Sequence, residues 1–270
     1  MNGTEAEEDE GYLHVAGVRY EYRRIGAPAG GDRPTLVLLH EGLGCVGLWK
    51  DFPDRLAAAT GLGVFAWSRA GFGRSDGIVL PRPLDYLERE APLVGPVLDA
   101  AGIGRCVLVG HSDGGTIALL CAARPDARRI EGVVTMAAHV FVEDVTIAGI
   151  EDARQIWEQG ALRERLRRWH GDNVDGAFYG WCDTWLHPGF RAWNIEAALP
   201  AVRVPCLVMQ GEADQYGTAA QVYAIARQVA GPAEAVLLPG AGHAPHVDAP
   251  DAVVSAIAGF VSGLAVGEGQ

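Results

Sequence analysis

"VLVGHSDGGTIALL", residues 107–120, decides how this chain is read. A run of branched apolar residues stops at Gly110-His111-Ser112-Asp113-Gly114, and a helix-like segment follows. Strand, tight turn and helix in that order are the setting in which G-x-S-x-G works as a nucleophile elbow. Small flanking residues let the chain turn sharply, the turn lifts the hydroxyl above the sheet, and the helix presents its positive end to it. Among the serines at 68, 75, 112, 255 and 262, only Ser112 has this setting.

A serine hydroxyl attacks a carbonyl when a base takes its proton and a third group orients that base. Behind such an elbow, acid and histidine follow in that chain order. "LVMQGEADQYG" (207–217) offers the acid: a strand-like run ends at Gly211, and Asp214 comes in the loop beyond. Glu212 is the rival, but it directly follows the turn glycine, where a solvated or turn-bonding residue belongs. "LLPGAGHAPH" (237–246) offers the base, His243 after a Gly-Ala-Gly entry, with His246 as its rival. Asp214 and His243 each lie just past a strand's C-terminal end, where open α/β sheets carry their sites. The oxyanion donors are assigned to the backbone N–H groups of Asp113, next after the serine, and of Gly42 in the loop His40-Glu41-Gly42-Leu43-Gly44. A residue without a side chain lets substrate approach that loop.

Around these loops strand-like and helix-like segments alternate. "YLHVAG" and "VRYEYRRIG" (12–26) read as an antiparallel hairpin. Continuous apolar runs at 35–40, 63–68, 105–112, 131–138, 204–211 and 233–240 read as strands covered on both faces. Segments 49–60, 84–102 and 250–264 read as helices, with breaks expected at Pro92 and Pro96. The class is α/β: a mostly parallel central β-sheet flanked by helices, over residues 11–138 and 201–265. Residues 139–200 lack a strand-like run, hold Trp157, Trp169, Trp181, Trp185 and Trp193, and read as a helical insertion. Residues 1–10, with the acidic stretch "TEAEEDE", read as a disordered tail.

Composition narrows the function classes. A net charge of −12 argues against a nucleic-acid partner. No apolar run reaches the ~18 residues of a membrane span, so no membrane role is expected. Five cysteines without a CxxC pair fit small buried hydrophobes in a reducing cytoplasm. His40, His139, His170 and His187 lack ligand-like spacing with cysteines or acids, so no metal site is expected. His111 reads as a packed residue beside the elbow.

From about Tyr12 to Leu264 the chain resembles the α/β-hydrolase superfamily, on the His40–Gly44 loop, "SRAGFGRSD" (68–76), "GHSDGG" (110–115), "GEAD" (211–214) and "GAGH" (240–243). The resemblance implies hydrolysis of a carboxylic ester or lactone of a small molecule by Ser112, His243 and Asp214, without cofactor or metal. It also implies that 139–200 forms a cap over the pocket. Some members with lactonase activity share the Gly-Leu-Gly loop ending. A carboxylate nucleophile would be needed at 112 for epoxide or haloalkane chemistry, and serine excludes both. A C–C bond hydrolase or a thioesterase on the same triad remains an alternative, as does a ligand receptor with vestigial hydrolysis.

Some positions need their own reading. Trp181 and Trp185, four apart in "FYGWCDTWL" (178–186), share one face if the segment is helical and are assigned to the substrate pocket, the alternative being that this face packs the insertion onto the core. The insertion also offers Arg154, Arg163, Arg165, Arg167, Arg168 and Arg191 for a substrate carboxylate, but the central four read as a solvated helix face. Glu41 stands where the family pattern has glycine. A carboxylate about 5 Å from an oxyanion would repel it by about 3 kcal/mol at an effective dielectric of about 20. Glu41 is therefore expected to point away and pair with Arg69, the alternative being that it is held near the pocket to bind a polar group of the substrate.

Overall fold

The computed structural model describes residues 8–26 and 33–267. In chain order its strands are β1 (Glu8–Val15), β2 (Val18–Ile25), β3 (Thr35–Leu39), β4 (Val64–Trp67), β5 (Cys106–His111), β6 (Ile130–Met136), β7 (Cys206–Gly211) and β8 (Ala233–Leu238). Its helices are α1 (Phe52–Thr60), α2 (Tyr86–Ala100), α3 (Asp113–Ala122), α4 (Asp144–Glu158), α5 (Ala161–His170), α6 (Val174–Trp185), α7 (Ala219–Gln228), α8 (Pro245–Asp248) and α9 (Pro250–Gly267). The strands form one sheet in the order β1-β2-β4-β3-β5-β6-β7-β8. β2 runs antiparallel to β1 and β4, and the pairs from β4 through β8 are parallel. A mostly parallel sheet between helices is the class that the apolar runs call for.

Strand alternation explains why those runs are continuous. Val37, Leu39, Phe65, Trp67 and Leu108 pack on one face with α2, α3 and α7 residues such as Leu98, Ile117 and Ile225. Their neighbours Leu36, Leu38, Val64, Ala66, Val107 and Val109 pack on the other with Leu56 of α1 and Ile257 of α9. A strand covered on both sides needs an apolar residue at every position.

The structure departs from the sequence reading at three places. The tail expected over 1–10 ends sooner, because Glu8, Asp9 and Glu10 pair with Ile25, Arg24 and Arg23. The Tyr22 hydroxyl also donates to Asp9 at 2.8 Å. An edge strand gains backbone pairing while the side chains of Asp9 and Glu10 stay exposed; residues 1–7 lie outside the described residues. Pro92 and Pro96 sit inside an unbroken α2. Ala91, Val94, Val97 and Leu98 are buried in the core, and that burial outweighs the lost N–H groups. The run at 233–240 is not covered on both faces: β8 is the sheet edge, and Ala233, Glu234 and Ala235 are exposed.

Between β6 and β7 the chain forms α4, α5 and α6 with short 3-10 turns, and a Phe141–Asn194 bridge joins its two ends. Among the described residues no helix is long and apolar enough to cross a membrane. The five cysteines are unpaired and buried.

Candidate active site

Ser112 occupies the turn between β5 and α3 with φ 51° and ψ −117°. That is a region L-residues rarely adopt and one that costs about 1–3 kcal/mol unless the surroundings impose it. The glycines supply the surroundings. A Cβ on Gly110 would lie 2.2 Å from the Gly114 carbonyl oxygen, and one on Gly114 would lie 1.9 Å from that of Leu39. Only a bare backbone on both sides lets α3 begin against the end of β3. Asp113 is the first residue of α3, so its N–H has no acceptor within the helix.

The loops after β7 and β8 bring two further groups to this turn. The Ala213 N–H donates to the Ala241 carbonyl at 2.9 Å, and Glu212 N–H to Leu238 at 3.0 Å, tying the loops together. His243 Nδ1 lies 2.9 and 3.0 Å from the two Asp214 oxygens, and Nε2 lies 2.9 Å from Ser112 Oγ. With Nδ1–H donating to the carboxylate, Nε2 is left to accept from the serine hydroxyl. Asp214 Oδ1 also accepts the Tyr216 N–H at 2.8 Å. Burial opposes ionisation of Asp214, but the His243 hydrogen bond and charge outweigh it and hold the carboxyl below its ordinary value. The rivals lie elsewhere: Glu212 is exposed, and His246 packs between Trp49 and Phe52. Burial, followed by the charge of His111, lowers the His246 pKa to about 3.

Asp113 carries a second network that the sequence did not reveal. Its carboxylate accepts from the Tyr86 hydroxyl at 2.6 Å and faces the Arg69 guanidinium at 3.8 Å. The Trp185 indole N–H donates to the same Tyr86 oxygen at 2.9 Å. Burial and the Asp113 charge both raise the Tyr86 pKa, so the phenol stays protonated. The elbow is thus tied to α2 and, through Trp185, to α6. Residues on four separate segments make this cluster, and no local pattern marks it.

Glu41 does not pair with Arg69 as expected. Arg69 donates to the Glu41 backbone carbonyl at 3.0 Å, and its charge is taken up by Asp113. The Glu41 carboxylate instead lies 3.3 Å from His111 Nδ1, while His111 Nε2 lies 2.7 Å from the His243 carbonyl oxygen. Both ring nitrogens face acceptors, so the doubly protonated ring suits the site. Burial alone would lower the His111 pKa, but the Glu41 carboxylate facing the ring outweighs it and raises it. Burial likewise opposes ionisation of Glu41, yet His111 holds its pKa far below the usual carboxylate range. His111 is therefore more than packing beside the elbow: it joins the loop after β3 to the backbone of His243.

Ser112, His243 and Gly42 line a cavity of about 620 Å³. Its walls come from the sheet loops and from the helices between β6 and β7, including Ile150, Leu162, Leu166, Trp181 and Trp185. Trp181 lies directly on Gly42, where a Cβ would sit 2.3 Å from the indole ring. Trp185 is 2% exposed and packs edge-on against His139. The arginines of α5, read as one solvated face, divide into two sets. Arg163 pairs with Asp175 at 2.7 Å and Arg167 with Glu164 at 3.8 Å, whereas Arg165 and Arg168 line the cavity. A polar helix stripe looks the same in sequence whether it faces solvent or the mouth of a cavity.

A family model described as the alpha/beta hydrolase family matches residues 36–256. Over 213 residues the chain is 30% identical to the human "Serine hydrolase BPHL", covering 74% of this chain and 68% of that protein. The mouse protein of the same name is 29% identical over 211 residues, with the same coverage. Among solved structures, the chain resembles the enol-lactonase from Burkholderia xenovorans LB400 at 25% identity, with a TM-score of 0.68 over 93% of this chain and all of that one. It also resembles the 2-hydroxy-6-oxo-6-phenylhexa-2,4-dienoate hydrolase from Rhodococcus sp. strain RHA1, at 17% identity and a TM-score of 0.75 over 93% and 98% of the two chains.

Proposed function

Since the chain belongs to the alpha/beta hydrolase family, we propose that it is a serine hydrolase that cleaves a carboxylic ester or lactone of a small molecule through an acyl-enzyme. The observation that carries this reading is the unbroken line Asp214–His243–Ser112, with contacts of 2.9 Å at each step, opening into the cavity. His243 Nε2 takes the Ser112 proton as Oγ bonds to the substrate carbonyl carbon, and the carbonyl electron pair moves onto oxygen. The N–H groups of Asp113 and Gly42 hold that oxyanion. As the carbonyl re-forms, the C–O bond to the leaving alkoxide breaks and His243 returns the proton to it. Water then attacks the acyl-enzyme by the same proton transfers and releases the acid. Asp214 keeps Nδ1 protonated and balances the imidazolium that forms.

Helices α4–α6 act as the cap, and their two tryptophans have different tasks. Trp181, seated on Gly42, sets the width of the pocket, whereas Trp185 braces α6 against the Tyr86–Asp113 pair. Trp181→Leu is expected to raise kcat/KM for bulky acyl esters relative to acetate by about tenfold. Trp185→Phe should lower stability by about 1 kcal/mol through the lost hydrogen bond and leave that preference in place. Steady-state kinetics over an acyl-length series, beside thermal melts, check both; matching effects from the two variants would contradict the division.

The reading is tested by following product from 4-nitrophenyl esters, lactones and acyl thioesters over many turnovers. Steady release from the oxygen esters or lactones is the expected result. A single stoichiometric burst, or thioesters alone as substrates, would overturn it.

A further inference from the structure

Lys50 is the only lysine in the chain, and it sits in an unusual place. It closes the 3-10 turn Val46–Trp49 with φ 53° and ψ −124°, a left-handed conformation that favours glycine. Its side chain is exposed and lines the cavity that holds Ser112. A residue kept where glycine would fit with less strain points to a use for its side chain.

Two more cations share that mouth. Arg165 and Arg168, three apart on α5, are exposed and line the same cavity, above the buried Leu162 and Leu166. The Trp169 ring lies against the backbone of Gly47, where a Cβ would meet it at 2.6 Å, so α5 is docked on the turn that carries Lys50. Of the two carboxylates in the lining, Glu41 faces His111 at 3.3 Å, and Asp248, which accepts the Gly242 N–H at 2.9 Å, is the one negative charge set against the three cations. Among the described residues, none of Lys50, Arg165 and Arg168 pairs with a carboxylate, whereas Arg55, Arg89, Arg124, Arg129, Arg154 and Arg163 each do. Arg33, Arg128, Arg203 and Arg227 likewise face no carboxylate among the described residues, but of the described cations it is Lys50, Arg165 and Arg168 that line the cavity with Ser112.

We propose that the substrate is an anion: an ester or lactone that carries a carboxylate away from the bond being cut, held at the cavity mouth by Lys50, Arg165 and Arg168. The apolar wall of Leu162, Leu166 and Trp169 takes the carbon chain between that carboxylate and the carbonyl at Ser112. Guanidinium groups suit a carboxylate through paired hydrogen bonds, and their field draws the anion in over about a Debye length, about 8 Å at physiological salt. This proposal rests on the hydrolytic reading of the same site.

The test compares a neutral ester, 4-nitrophenyl butyrate, with a charged one of similar length, mono-(4-nitrophenyl) glutarate. A second pair, phenyl acetate and 4-acetoxybenzoate, puts the charge on the alcohol side. The wild-type protein should favour the anionic member of at least one pair in kcat/KM by at least about tenfold, and about 0.5 M NaCl should erase most of that preference. In the triple variant Lys50→Gln, Arg165→Gln, Arg168→Gln, the charged-to-neutral ratio should fall at least tenfold, mainly through KM. All three side chains are exposed, so a thermal melt should match the wild type. Turnover of all four esters with no charge preference, or a preference that survives in the triple variant, overturns the proposal and leaves the hydrolase reading standing. Turnover of none overturns both.

Discussion

Ser112→Ala and His243→Ala should each lower kcat by about a thousandfold or more on any ester the protein turns over. Without Oγ no acyl-enzyme forms, and without the imidazole no group near Oγ accepts its proton at neutral pH. The two losses should not multiply, because each variant already removes the same step; the double variant should resemble the singles. Asp214→Asn should cost about a hundredfold or more. An amide at 214 can donate to Nδ1, which stabilises the tautomer carrying its proton on Nε2, where the serine needs an acceptor. Since His243 Nδ1 touches both Asp214 oxygens, no other residue replaces that contact. All three variants should keep the wild-type circular dichroism spectrum. Steady-state kinetics and intact-mass detection of an acyl adduct on Ser112 provide the check. Turnover by Ser112→Ala within tenfold of wild type would remove the serine from the chemistry.

Local pattern made the centre of the site legible, and long-range pairing hid its surroundings. The elbow could be read because strand, turn and helix are contiguous and because glycine at 110 and 114 answers a steric demand made within a few residues. The doubly buried strands could be read because both faces impose the same composition. Asp214 and His243 stood out as loop residues after strand-like runs, and the structure brings both to Ser112. What escaped has its cause at a distance in the chain. The prolines in α2 suggest a break, and only the packing of Val94, Val97 and Leu98 shows why the helix continues. Arg165 and Arg168 look like their neighbours until α5 is docked over Gly47. Glu41 had several arginines to choose from in sequence, and its partner proved to be the histidine beside the nucleophile.

That last pair yields the second large effect. Glu41→Gln should lower stability by about 2 kcal/mol, since it strips the counter-charge from a buried ring and leaves His111 Nδ1 without a matched partner. The groups around His111 are Glu41 from the loop after β3, the His243 carbonyl and its imidazole ring at 5.2 Å, His246, the Trp49 ring and the more distant charge of Asp214. His246 stays uncharged above about pH 3 and supplies no substitute. Because the His111 pKa is raised, its contribution is complete below the ordinary value of 6.5 and is lost as pH rises through the folded value. Because the Glu41 pKa is lowered, its contribution is present above the ordinary 4.5 and is lost as pH falls through the folded value. The stability gap between wild type and Glu41→Gln should therefore be widest from pH 4.5 to 6.5 and narrow toward pH 9. Rates should respond differently. An unpaired carboxylate beside the oxyanion would cost about 3 kcal/mol, so removing it would speed the reaction about a hundredfold. With the His111 charge already cancelling that of Glu41, kcat should instead stay within about threefold. Thermal melts across pH, run beside ester kinetics, separate the cases. A large acceleration would show that Glu41 is not neutralised. A fall in kcat/KM beyond a hundredfold at an unchanged melting temperature would mean that Glu41 grips the substrate rather than His111.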